Sequence, residues 1–95
     1  MWVLRESDDG SGVTLRLTPG SVRTVGRARR ADFILEAALV SRIHCRLTAR
    51  DDVLDVEDLD STNGTFVNGT KVSRAELKDG DVLGIGRVRL RVRRE

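Results

Sequence analysis

Short alternating runs dominate this chain and restrict it to β architecture. Val13, Leu15 and Leu17 alternate with Thr14, Arg16 and Thr18. Ile43, Cys45 and Leu47 alternate with His44, Arg46 and Thr48, and Val88, Leu90 and Val92 with Arg87, Arg89, Arg91 and Arg93. Successive side chains of a strand point to opposite faces, so each run offers one apolar face to a core and one polar face to water. Helical periodicity is absent; the only helix-favouring stretch, Glu36-Ala37-Ala38-Leu39, lies between strand-like segments. Turn signals recur at short intervals, among them Pro19-Gly20, Asn63-Gly64, Asn68-Gly69 and Asp79-Gly80. Strands are expected at residues 2–6, 13–18, 22–26, 33–35, 43–48, 53–58, 65–67, 70–72, 81–85 and 88–93. Many short strands with regular turns predict an all-β antiparallel sandwich or barrel.

The 95 residues suit one domain, 1–95, with no linker, repeat or low-complexity stretch. Aromatics are only 3%, so the core must be aliphatic. A single cysteine, Cys45, excludes an internal disulfide, and its alternation with Ile43 and Leu47 makes it a buried small hydrophobe. No apolar stretch approaches the ~20 residues of a membrane span, and Met1-Trp2-Val3-Leu4-Arg5 is too short for a secretory signal. A soluble, intracellular domain that does not bind membranes is expected. Net charge is +2, with nine Lys/Arg against five Asp/Glu in residues 1–50 and eight against ten in 51–95. The basic bias around Arg23, Arg27, Arg29 and Arg30 suits an anionic partner. The arginines at 87, 89, 91 and 93 read as the solvated face of a terminal strand, their like charges discouraging edge-to-edge aggregation.

Three segments carry the chemistry: Val25-Gly26-Arg27, Val40-Ser41-Arg42-Ile43-His44, and the run from Asp58 through Ser61-Thr62-Asn63-Gly64-Thr65 to Asn68-Gly69. They supply a guanidinium, hydroxyls, a side-chain amide and glycine-permitted tight backbone, which are the groups a phosphate monoester needs. The ordered set Gly-Arg, Ser-x-x-His, Ser-Thr-Asn-Gly-Thr and Asn-Gly closely resembles the forkhead-associated (FHA) family, from about Val3 to Val92. The resemblance implies a two-sheet antiparallel β-sandwich of about eleven short strands whose end loops bind a phosphothreonine peptide. It assigns Arg27 to grip the phosphate, and Ser41 and Thr62 to donate to it. Arg42 would face the phosphate through its N–H or side chain, and Asn63 would hold the peptide backbone. His44 would brace the loops, while Gly26, Gly64, Asn68 and Gly69 shape turns. Leu39 would contact an apolar residue three positions after the phosphothreonine, since the loop Ala37–Val40 carries no charge; Arg74, in a later loop, could supply one. The family's selectivity for phosphothreonine over phosphoserine would carry over.

The resemblance further implies no catalysis and attachment to other domains of a longer signalling protein; one His and one Cys in the chain leave no metal site, and no cofactor is expected. Met1-Trp2 beside the first strand is similar to the start of nibrin-like DNA-repair scaffolds, whereas the Arg-rich, Lys-poor composition fits an actinobacterial regulator. Such a protein would be nuclear in the first case, in DNA-damage response or cell-cycle control, and cytoplasmic in the second. Two rival classes stand beside this reading. In a hydrolase, Ser41 and His44 would have to meet, yet in an extended strand they lie on opposite faces roughly 10 Å apart. A basic β-domain binding nucleic acid, or another acidic partner without phosphothreonine specificity, is favoured by the pI of about 9.3. Absence of Tyr, with two Phe and one Trp, leaves it no stacking platform.

Overall fold

The computed structural model describes residues 1–95 and contains no helix. Eleven strands follow in chain order: β1 (Trp2–Arg5), β2 (Thr14–Leu17), β3 (Val22–Gly26), β4 (Phe33–Ile34), β5 (Cys45–Ala49), β6 (Leu54–Asp58), β7 (Thr65–Val67), β8 (Thr70–Val72), β9 (Arg74–Leu77), β10 (Val82–Ile85) and β11 (Val88–Arg94). One sheet has the order β2-β1-β11-β10-β7-β8, the other β4-β3-β5-β6-β9. Neighbouring strands run antiparallel, except that β3 and β4 pair in parallel through Val25–Phe33 and Gly26–Ile34.

The inner faces make an aliphatic core. Leu4, Leu15, Leu17, Leu83, Leu90 and Val92 from one sheet meet Val25, Leu47, Leu54, Val56 and Leu77 from the other. Trp2 closes one end, buried to 1% exposure, with its indole N–H donating to the Arg50 carbonyl at 2.7 Å. A buried ring needs that polar outlet. Cys45 lies in the core, and burial, with the charge of Asp58, pushes its thiol up to about 12. It stays a neutral thiol at physiological pH.

Several details depart from expectation. No strand is expected at β9, and Arg-Ala-Glu-Leu lacks β-branched and aromatic residues, yet pairing with β6 holds it extended. Arg74 therefore opens a strand, opposite Glu57. β5 begins at Cys45, since the chain bends at residues 42–43. Residues 38–39 form a turn, closed by the Val40 N–H to the Ala37 carbonyl, with Leu39 at φ 71°. Most consequential, β11 is no edge: β1 and β10 flank it, so protection against edge pairing cannot explain its arginines.

Candidate functional site

Loops leaving β3, leading into β5 and joining β6 to β7 converge at one end of the sandwich. Between them opens a cleft of about 800 Å³ lined by Arg27, Ser41, Thr62, Asn63 and residues 36–40.

The convergence begins with a close approach. Gly26 ends β3 against the backbone of residues 42–43, where an added Cβ would lie 2.1 Å from the Arg42 carbonyl oxygen. Only glycine fits. Beyond it, Arg27 N–H donates to the Ser41 carbonyl at 2.9 Å and Ala28 N–H to the Arg42 carbonyl at 3.0 Å. The Arg27 Nε donates to the Val40 carbonyl at 3.1 Å. That bond fixes the side chain and leaves the two terminal nitrogens free; no carboxylate lies within ion-pair distance of them.

His44 ties the loops together from below. It is fully buried, and both ring nitrogens are engaged. Nδ1 accepts the Ser41 N–H at 3.0 Å and Nε2 lies 2.8 Å from the Gly64 carbonyl oxygen. Accepting at Nδ1 places the proton on Nε2, which donates to Gly64. The bend at 42–43 brings the ring back onto Ser41's own backbone, in place of the roughly 10 Å separation expected for an extended strand. No lone pair remains to activate the Ser41 hydroxyl, so a Ser–His hydrolase is excluded on geometry.

The hydroxyls and amide are set just above. Ser41 Oγ accepts the Thr62 N–H at 3.0 Å, which leaves its hydroxyl proton to donate into the cleft. Asn63 Nδ2 spans the cleft wall to the Leu39 carbonyl at 3.2 Å. Arg42 is not among the lining residues. Its carbonyl is used by Ala28, while its N–H has no partner within the protein.

Asp58, Ser61 and Thr65, which the sequence places in the third segment without a role of their own, shape its loop. Asp58 accepts from the Ser61 hydroxyl, from Thr65 Oγ1 at 2.7 Å and from the Ser61 N–H at 3.2 Å. Ser61 Oγ in turn accepts the Gly64 N–H at 3.0 Å. Burial pushes the Asp58 carboxyl up, but the hydrogen bonds from Ser61 and Thr65 outweigh it and hold the group below the ordinary carboxylate range. An Asp three residues before a Ser is the local signal for such a turn. Glu36 was missed, and it brings a carboxylate to the cleft. Arg74, on β9, is not among the lining residues.

The FHA-domain family model matches residues 23–86. This chain belongs to the FHA family. FHA domains are binding modules rather than enzymes. This FHA domain is 44% identical over 78 residues to an ABC transporter ATP-binding/permease protein of Mycobacterium tuberculosis, covering 82% of the chain. It is 42% identical over 91 residues, 96% of the chain, to the FHA domain-containing protein FhaA of the same organism. It spans only 9% and 17% of those relatives' own lengths. Among solved structures it is similar to an FHA domain studied for phosphothreonine-dependent interactions, with a TM-score of 0.83 and 39% identity. That match covers 99% of this chain and 94% of the other. The FHA fold thus accounts for the two-sheet sandwich and its eleven strands. No helix is long and apolar enough to cross a membrane, and no cluster of three or more His, Cys, Asp or Glu is placed to hold a metal ion.

Proposed function

We propose that this FHA domain is a phosphothreonine-dependent docking module that recruits phosphorylated partner proteins in signalling and catalyses no reaction. The observation that carries the reading is the set of unspent donors around one open cleft. Arg27 keeps its terminal guanidinium nitrogens and Ser41 its hydroxyl proton; Arg42, next in the chain but outside the lining, keeps an unpaired backbone N–H. Thr62 adds a hydroxyl on the facing loop. A dianionic phosphate takes such donors in charge-assisted bonds, which together support micromolar affinity, about −8 kcal/mol. Asn63, already bonded to the Leu39 carbonyl, holds the peptide backbone with its remaining amide groups. Leu39, 45% exposed, offers the apolar contact beyond the phosphate.

Such a domain works attached to others in a longer intracellular chain, and its resemblance to mycobacterial proteins favours a cytoplasmic bacterial regulator over a repair scaffold. Calorimetric titration with a phosphothreonine peptide and its unphosphorylated twin tests the reading. Micromolar binding of the first and none of the second is expected; equal binding of both would overturn it.

A further inference from the structure

The arginines of β11 have no role in the cleft and, on a central strand, none in guarding an edge. Their setting is a segregation of charge between the sheets. The strands of the six-stranded sheet contain no Asp or Glu, whereas those of the five-stranded sheet hold Arg23, Arg46 and Arg74 against Asp55, Glu57, Asp58 and Glu76. Registers place Arg5, Arg16, Lys71, Arg89, Arg91 and Arg93 on one outer face. Glu95 holds Arg5 at 2.9 Å and Asp79 lies 3.6 Å from Arg93. Arg16, Lys71, Arg89 and Arg91 have no carboxylate within 4.0 Å. Arg5 and Arg91 stand directly opposite each other, an arrangement that costs stability. A face built at such a cost fits an anionic occupant.

This face adjoins the phosphate cleft. Between Arg89 and Phe66, which flank Gly84 from either side, lies a notch of about 300 Å³. Gly86, on its rim, packs against the Ala38–Leu39 backbone of the cleft wall, and the Phe66 ring and Lys71 stem pack against Gly64 beside Asn63. A chain leaving the cleft across this rim meets Arg89 and then Arg91. Alternate residues of a strand are about 7 Å apart, so the arginine row matches alternate carboxylates of an extended acidic segment.

We propose that this face is a second docking surface, which takes an Asp/Glu-rich segment flanking the phosphothreonine in the same partner. The proposal rests on the phosphothreonine reading for its first anchor. Nucleic acid is disfavoured because Phe66 is the only ring on the face, and strand-tracking sites stack successive bases.

The test uses anisotropy at low salt with one phosphothreonine core peptide, the same core extended by five Asp/Glu or by five Ser/Gly at either end, and the unphosphorylated acidic peptide. A single-stranded oligonucleotide of equal charge is the rival probe. The domain is compared with its Arg89→Gln/Arg91→Gln variant, both exposed positions whose alkyl stems are kept. An acidic extension at one end should tighten binding about tenfold, an effect that the variant and raised salt abolish while the core peptide binds unchanged. Acidic and neutral extensions of equal affinity would overturn the second surface and leave the phosphate reading standing. A core peptide that fails to bind, with Arg-dependent capture of the unphosphorylated acidic peptide, would sink the phosphate reading and keep an acidic-segment surface. Tighter, Arg-dependent binding of the oligonucleotide would replace the acidic segment with nucleic acid.

Discussion

Glu36 stands in the cleft beside Ala37 and Leu39. A carboxylate there would repel Asp or Glu at a ligand position resting on Leu39, adding a repulsive element to specificity. A phosphothreonine peptide library should select apolar residues and deplete acids three positions after the phosphothreonine, and Glu36→Lys should relax that depletion about tenfold. Enrichment of acids by the native domain would refute this. Fixing the phosphate and the peptide backbone leaves the β-carbon substituent little freedom, so the threonine methyl should favour phosphothreonine over matched phosphoserine by roughly 5- to 150-fold. Equal titrations would mean that the loops read charge alone. His44→Ala should cost about 3 kcal/mol in chemical denaturation, because the Ser41 N–H and Gly64 carbonyl lose their partner. Asp58 sets a pH dependence. Its carboxyl is depressed in the fold from 3.8, so its stabilisation is complete above that value and is lost as pH falls through the lower folded value. The stability gap between the wild type and Asp58→Asn should therefore be full at neutral pH and close in acid; a constant gap would contradict the assignment.

At the scale of elements, what could be read depended on how local the cause was. Asn68-Gly69 announces a two-residue hairpin, and β7–β8 closes there with Asn68 at φ 50° and Gly69 at φ 84°. Replacing the pair by Ala-Ala should cost about 1–2 kcal/mol for each left-handed residue, read as a lowered denaturation midpoint. Alternation made β2, β5 and β11 legible for the same reason, since period 2 is a property of the strand itself. β9 was not legible: Ala75 and Leu77 are held by pairing with β6, a tertiary cause without a local mark. The position of β11 was hidden likewise. Its last place in the chain suggested an edge, but the sheet order is fixed by long-range partners.

The whole molecule explains why site and charge differed in legibility. Arg27, Ser41, Thr62 and Asn63 sit in motifs with fixed order, and the sandwich brings those motifs to one end. Glu36 had no motif, and the Ser41–His44 contact needed a bend that alternation does not encode. Charge was read by halves of the chain, yet the fold sorts it by sheet, drawing arginines from both halves onto one face. Because Arg91 faces Arg5, Arg91→Gln should raise stability at low salt by about 0.5 kcal/mol. On the proposed function, the cleft reads a phosphate through Arg27. Calorimetry of one phosphothreonine peptide against the wild type and a folded Arg27→Ala variant tests it most directly. A loss of at least about 2–3 kcal/mol is expected, the scale of a charged hydrogen-bonding partner removed; near-wild-type affinity would contradict it.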